Sequence, residues 1–444
     1  MNLKQLDLQH LIHAEVHFRD FYRKGPVIID RAHGSTVYDT DGKAYLDAQG
    51  GLGLVNIGYG RPELAQVAKQ QMEALMYYHT YFHFSNDAAV RLAAKLAQIA
   101  PAGIGKVFFT LGGAESVESA VKLARLYQRA KRRPQGDKVI CLDLAYHGNT
   151  MGALSATGLA KHKELFGPLV PGFSHIPAPD CFDGAWGYDD PEAGAKYASL
   201  LEERILQEGP ETVAAFLAEP ILGVGGTIVP PEDYFRHIRA ICDRYDILFI
   251  ADEVMAGFGR TGSMWAMDHF GVTPDVICTA KGLTSGYLPL GAILIRDAVV
   301  DAIAEADLPF THGFTYAGHP VGCAVALANI AILERENLAA NAAVIGERIM
   351  RGFRERQNPY VGDVRGKGLM IGIELVKGPG SKERLPGVAF GIEAAAFGEG
   401  VITGVAPYRE ALALTPPLVL TEAEADRLVD VLDRCIRKES EARL

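Results

Sequence analysis

Leu248-Phe249-Ile250-Ala251-Asp252-Glu253-Val254 is the stretch on which the fold turns. Four apolar residues run without a break into two carboxylates. A run so short, with no polar alternation, reads as a strand buried on both faces. Similar runs lie on either side of it, at 106–110, 139–144, 213–218, 276–279 and 292–295, separated by helix-like segments. Together they predict an α/β domain with a mostly parallel central sheet covered by helices. Ligands of such sheets bind at the carboxyl ends of the strands. The residues just after each run are therefore where chemistry is expected.

Further outward the pattern changes. Residues 27–48 alternate apolar and polar around Asp41-Gly42, which predicts a β-hairpin. Residues 61–76 carry a helical period with Pro62 in the first turn. From about residue 326 the chain reads as helix to Gln357, then a strand over 369–376, a helix, and a β segment over 411–414. Thr421 followed by Glu424 is a capping box opening the last helix. The reading divides the chain into 1–60, a large domain over 61–325, and 326–444. The two outer segments form a small α+β domain.

Composition narrows the function. The chain has 444 residues, 48% hydrophobic and 22% charged, with a formal net charge of -10. Nucleic-acid binders carry a basic excess, which is missing here. No apolar run is long enough to span a membrane. The N-terminus lacks a signal-peptide core. The six cysteines form no C-x-x-C pair, so no metal site is expected and a reducing, cytoplasmic setting fits.

Four strand ends carry candidate chemistry. Gly112-Gly113-Ala114-Glu115 opens a helix, where backbone N–H groups and the dipole favour a phosphate. No phosphate-loop or dinucleotide fingerprint accompanies it. Tyr146, in Ala145-Tyr146-His147-Gly148, can stack on a flat ring. Asp252-Glu253 needs a charged partner if buried. That partner could be Mg²⁺, an arginine such as Arg260, or a protonated ring nitrogen. Lys281, in Ile277-Cys278-Thr279-Ala280-Lys281-Gly282, ends an apolar run; desolvation there would make its amine nucleophilic. A phosphate cradle, a stacking ring, a buried carboxylate and a reactive lysine are the parts that hold pyridoxal 5'-phosphate.

With these residues in view, the sequence resembles the class III, or omega, aminotransferases, pyridoxal-phosphate enzymes of fold type I. The resemblance is carried by Gly113-Ala114-Glu115, Tyr146-His147-Gly148, Ala218-Glu219-Pro220, Ala251-Asp252-Glu253-Val254, Gly257-Phe258-Gly259-Arg260-Thr261-Gly262, Ala280-Lys281-Gly282 and His312-Gly313-Phe314-Thr315-Tyr316-Ala317-Gly318-His319-Pro320, in the family's order. It implies that Lys281 forms the Schiff base and carries the proton, and that Asp252 pairs the ring nitrogen. It implies Tyr146 and Val254 on the two ring faces, and backbone groups of Gly113 and Ala114 at the phosphate. Thr315 would reach the phosphate of a neighbouring subunit in a homodimer or dimer of dimers. Glu219 matches the family's Glu-Pro carboxylate, with its role open.

The resemblance also implies a ping-pong reaction, with a primary amine or omega-amino acid as donor and a keto acid, pyruvate first, as acceptor. Decarboxylase and aminomutase relatives share the lysine and aspartate, so the motifs do not separate these reactions. Neither do they separate pyruvate from 2-oxoglutarate. Arg409, in Pro407-Tyr408-Arg409, is the candidate for pairing the acceptor's carboxylate. Two departures stand out. Gly112-Gly113-Ala114 lacks a hydroxyl that many relatives have in the phosphate loop. Gly53, in Gly51-Leu52-Gly53-Leu54, stands where many amine:pyruvate members carry a pocket tryptophan. The expectation is a pocket that admits long or bulky amines, with Tyr81 and Phe82 as further walls from the partner subunit.

Overall fold

Seven strands make the central sheet of the computed structural model, which describes residues 2–406 and 409–444. Their order is Ile104–Thr110, Gly291–Arg296, Val276–Thr279, Leu248–Asp252, Val213–Ala218, Lys138–Leu142 and Phe173–Ile176. Gly291–Arg296 pairs antiparallel with both neighbours, and the remaining pairings are parallel. Six strands thus point the same way.

Side chains alternate between two cores, as strand geometry requires. Ile140, Leu142, Phe216, Ala218, Phe249 and Ala251 face helices Ala193–Glu208 and Tyr234–Tyr245. Val139, Cys141, Ala215, Leu217 and Ile250 face helices Gly113–Ala130 and Asp297–Glu305. Both faces are covered, which is why these strands read as unbroken apolar runs. The edge strand Phe173–Ile176 carries Ser174 and His175 and gave no such run.

The expected hairpin over 27–48 is a three-stranded meander, Ile29–His33, Thr36–Asp39 and Ala44–Asp47. Its first turn, at Gly34-Ser35, was hidden by the continuing alternation. Val401–Ile402 adds to it in parallel, so both chain ends share a sheet. A second sheet, Val361–Lys367, Met370–Leu375, Ala411–Leu414 and Gly404–Ala406, is antiparallel. The last helix, Glu422–Glu441, opens with the expected capping box.

The division at 60/61 falls just before helix Pro62–Ala74. The division at 325/326 falls inside helix Pro320–Arg335, which packs on Pro62–Ala74 and Asp87–Ile99. Uninterrupted helical periodicity had no local signal for where the large domain gives way.

Candidate active site

A cavity of about 200 Å³ opens at the carboxyl ends of the parallel strands. Its wall includes Gly113, Ala114, Tyr146, Glu219, Asp252, Val254 and Lys281. These residues follow five different strands, ending at Thr110, Leu142, Ala218, Asp252 and Thr279. The sheet therefore gathers groups far apart in sequence, and most of the predicted site lies on one wall.

Lys281 follows strand Val276–Thr279 at a left-handed backbone angle, φ 42. For a non-glycine residue that geometry costs of order 1–3 kcal/mol and is held by its surroundings. The side chain faces the cavity. Burial lowers its pKa, and the carboxylates of Glu219 and Asp252 oppose that shift. The result is a lysine whose Nζ gives up its proton more readily than a surface amine.

Asp252 and Glu253 point to opposite sides, as neighbours on a strand must. Asp252 Oδ2 accepts from His147 Nδ1 at 2.7 Å, and Oδ1 accepts from Val254 N at 3.1 Å. Glu253 faces away and accepts backbone N–H groups of Ala266 and Met267, at 2.9 and 2.8 Å. Arg260, considered above as the carboxylate's partner, is not. Its guanidinium is fully buried and donates to Leu369 O, Pro416 O and Asn56 Oδ1. Burial brings it down to about 9. The partner within the protein is His147, whose place one residue after Tyr146 was the only sequence signal for it.

Glu219 is buried in the same wall. Oε1 accepts from Tyr146 N at 2.9 Å and Oε2 from Gly223 N at 2.8 Å. Burial pushes its carboxyl up to about 7. It thus fixes the backbone of Tyr146 and adds a titratable group beside Lys281. Val224, Asn149 and Met255 also line the cavity and carried no motif.

Gly112 caps helix Gly113–Ala130 with no side chain on the first-turn N–H groups. A Cβ on Gly113 would come within 2.7 Å of Val254 Cγ1. Only glycine leaves room there for both the helix start and the Val254 wall.

The remaining predicted residues lie off the wall. Gly53 has φ 73 and sits behind Met255, 3.3 Å from a built Cβ to Met255 Cε. Phe82 is 89% exposed, at φ 58. Tyr81 packs near Gly313. Thr315 is exposed, and its carbonyl accepts from the Tyr77 hydroxyl at 2.6 Å. Arg409 is buried and paired with Asp180 and with Glu374, away from the cavity. Its guanidinium faces these two carboxylates. Pro407 and Tyr408 lie outside the described residues.

The residues fit pyridoxal phosphate. An uncapped, glycine-led helix start suits the phosphate, Asp252 suits a protonated ring nitrogen, Tyr146 and Val254 flank the cavity, and Lys281 suits its aldehyde. Fold and site together define a lysine-dependent pyridoxal-phosphate enzyme of fold type I. The family model for class III aminotransferases matches residues 20–436, and the chain belongs to that family. It is 40% identical to a diaminobutyrate–2-oxoglutarate transaminase of Halomonas elongata, over 98% of this chain and 96% of that protein. It is 38% identical to a putrescine–pyruvate aminotransferase of Pseudomonas aeruginosa, over 97% and 95%. A thermostable omega transaminase of Pseudomonas jessenii superposes with TM-score 0.95 at 38% identity over 100% of this chain and 99% of that one. A thermostable omega transaminase variant with a tryptophan-to-glycine substitution, engineered for asymmetric synthesis of bulky amines, superposes with TM-score 0.95 at 38% identity over 100% of both chains. The protein is a pyridoxal-phosphate-dependent aminotransferase.

Proposed function

We propose that the protein transfers an amino group from a primary amine or omega-amino acid, bulky ones included, to pyruvate, with Lys281 as the proton carrier. The observation that carries this reading is Lys281 on the same wall as Asp252, Glu219 and Tyr146. When bound, pyridoxal phosphate supplies an electrophilic carbon and a ring that accepts electron density. Asp252 would pair the cofactor's ring nitrogen, and His147 Nδ1 keeps that carboxylate oriented. Lys281 Nζ, with its pKa lowered by burial, would take up a proton from the donor carbon and give it back from the same wall of the cavity. Tyr146, pinned through its N–H to Glu219, excludes water from one face.

Acceptor choice rests on likeness to the putrescine–pyruvate relative, and the diaminobutyrate relative uses 2-oxoglutarate instead. Donor breadth rests on Gly53. It backs onto Met255, which lines the cavity. An omega transaminase similar to this chain carries an engineered tryptophan-to-glycine substitution made for the synthesis of bulky amines, which supports this reading. Gly53→Trp would refill the space but must adopt a left-handed angle that favours glycine. Gly53→Ala therefore serves as the backbone control.

Assembly as a homodimer is part of this proposal. Met72, Met76, Phe82, Phe84 and Tyr316 are all more than half exposed and lie in or beside one stretch. Patches of that kind mark protein interfaces. Thr315, next to Tyr316, would then face the partner's phosphate site. The six unpaired, buried cysteines support placing the enzyme in the cytoplasm.

The test is a half-reaction panel. Holoenzyme is mixed with single amines, and decay of the cofactor's visible band is followed. Pyruvate or 2-oxoglutarate is then added to restore it. We expect decay with small and bulky amines and faster recovery with pyruvate. We expect Gly53→Trp to lose bulky amines by tenfold or more while keeping small ones, about 1.4 kcal/mol. A band that no amine bleaches, or carbon dioxide release without amino transfer, would overturn the reading.

A further inference from the structure

Arg260 is a buried charge that the reaction described above leaves unused. It lies in the loop after strand Leu248–Asp252 and is completely buried. Among the described residues its guanidinium donates to neutral acceptors: Leu369 O at 3.1 Å, Pro416 O, and Asn56 Oδ1 at 2.8 Å. Its Nε has no partner among them. Asp47, whose charge reaches it, is committed to the N–H groups of Gln49, Gly50 and Gly51 and to the Tyr59 hydroxyl. A buried cation without a paired carboxylate is costly to keep. That cost is concentrated where the N-terminal segment, the antiparallel sheet and the C-terminal segment meet the large domain.

Asn56 carries this junction to Lys281. Its Oδ1 accepts from Arg260, and its Nδ2 donates to Phe258 O at 2.8 Å. The same Nδ2 sits against Gly282, where a built Cβ would lie 2.5 Å from it. Asn329 Nδ2 donates to Gly282 O at 2.8 Å and to Leu283 O at 3.0 Å. The residue after Lys281 is thus held by two buried asparagines, one of them oriented by Arg260. Lys281 itself is left-handed, a conformation its surroundings must impose. Burial chiefly, and the charge of Arg260 to a lesser degree, lower the pKa of its amine, while Glu219 and Asp252 act the other way. The charged and titratable groups around Lys281 are Glu219, Asp252, Tyr146 and His147 on the cavity wall, with Arg260 across the Gly282 turn.

We propose that Arg260, acting through Asn56, is a positioning residue for Lys281: it fixes the Gly282 turn that aims the lysine at the cavity, and it keeps an unpaired positive charge one side chain away from that turn. This rests on Lys281 being the reactive lysine of the reading above.

Replacing Arg260 itself would break three contacts at once, so the test acts on its relay. Holoenzymes of the wild type, Asn56→Asp, Asn56→Ala and Asn341→Ala are compared. Asn341 donates to Leu418 O and Leu420 O, so its loss loosens the C-terminal segment without touching Gly282. Two quantities are read. One is the pH at which the cofactor's visible band fades, which reports loss of the proton from the Lys281 nitrogen. The other is the single-turnover rate with butylamine against its concentration. Asn56→Asp puts a carboxylate on the guanidinium, and the midpoint should rise by about half a unit to one unit. Asn56→Ala keeps the charge and frees the turn. Its maximal rate should fall about tenfold with little change in apparent KM, and its midpoint should not rise. Asn329→Ala releases Gly282 from the other side and gives the same rate reading if Asn56→Ala does not fold. Asn341→Ala should match the wild type in both. A midpoint that ignores Asn56→Asp, or a rate loss equalled by Asn341→Ala, would mean that Arg260 only joins the segments, and would overturn the inference. A wild-type holoenzyme whose band amines bleach, but whose variants give either result, loses this inference alone. One whose band no amine bleaches loses the underlying reading as well.

Discussion

At Lys281 the chain places an ammonium group where burial disfavours its charge, within the field of two carboxylates. Its position at a strand end was legible because lysine rarely follows an apolar run into a covered sheet. Asp252 was legible for the same reason. Its pairing with His147 was not, since nothing local links residues that far apart in sequence. Glu253 shows how neighbours diverge: it is equally buried but faces two backbone N–H groups and no cation. Burial pushes its carboxyl from 4.5 up to about 8. A folded-state value above the unfolded one stabilises the protein fully below the unfolded value, and that stability is lost as pH rises through the folded one. Wild type should therefore lose stability relative to Glu253→Gln between about pH 5 and pH 8. The loss should be on the order of 3–4 kcal/mol at about 1.36 kcal/mol per unit. Chemical denaturation of both proteins across that range checks it. A difference that does not change with pH would contradict the assignment.

Among the elements, the antiparallel sheet shows what sequence patterning leaves out. Strands Val361–Lys367 and Met370–Leu375 bring Arg365 and Glu374 together, and the loop after Gly404–Ala406 adds Arg409. Arg384 completes three arginines on one fully buried carboxylate. The sequence suggested a substrate-binding Arg409 because an arginine just ahead of Pro416-Pro417 fits the resemblance. Packing gives it Asp180 and Glu374 instead, since a guanidinium buried there must be paired. Glu374→Ala would strand those cations and should cost about 3–5 kcal/mol. Thermal unfolding of the variant should show a clear drop in Tm. An unchanged Tm would mean that the network is relaxed by water. Gly226, whose built Cβ would strike Arg409 Cδ at 2.7 Å, packs directly on this network.

For the whole molecule, the alternation of short apolar runs with helical segments made the central sheet legible, including its covered faces. The small domain was less so, because its sheets join segments from opposite ends of the chain, such as Ala44–Asp47 with Val401–Ile402. Such pairings leave no local pattern. The exposed apolar side chains between Met72 and Phe84, with Tyr316, had no meaning in the sequence beyond two suspected pocket residues. On the surface they form the face through which we propose dimerisation. Light scattering should give twice the 47.9 kDa chain mass. The double substitution Met76→Glu and Phe82→Glu should shift the mass toward the monomer and reduce activity with it. A fully active monomer would contradict an active site shared across that face.

The account as a whole depends on which lysine carries the cofactor, and that can be read directly. Borohydride reduction of the holoenzyme fixes pyridoxal phosphate to the lysine that holds it, and peptide mass spectrometry then locates the added mass. The result expected is the full label on Lys281, with none on Lys281→Ala treated alike. Label on another lysine such as Lys163, or undiminished label on Lys281→Ala, would contradict the central claim.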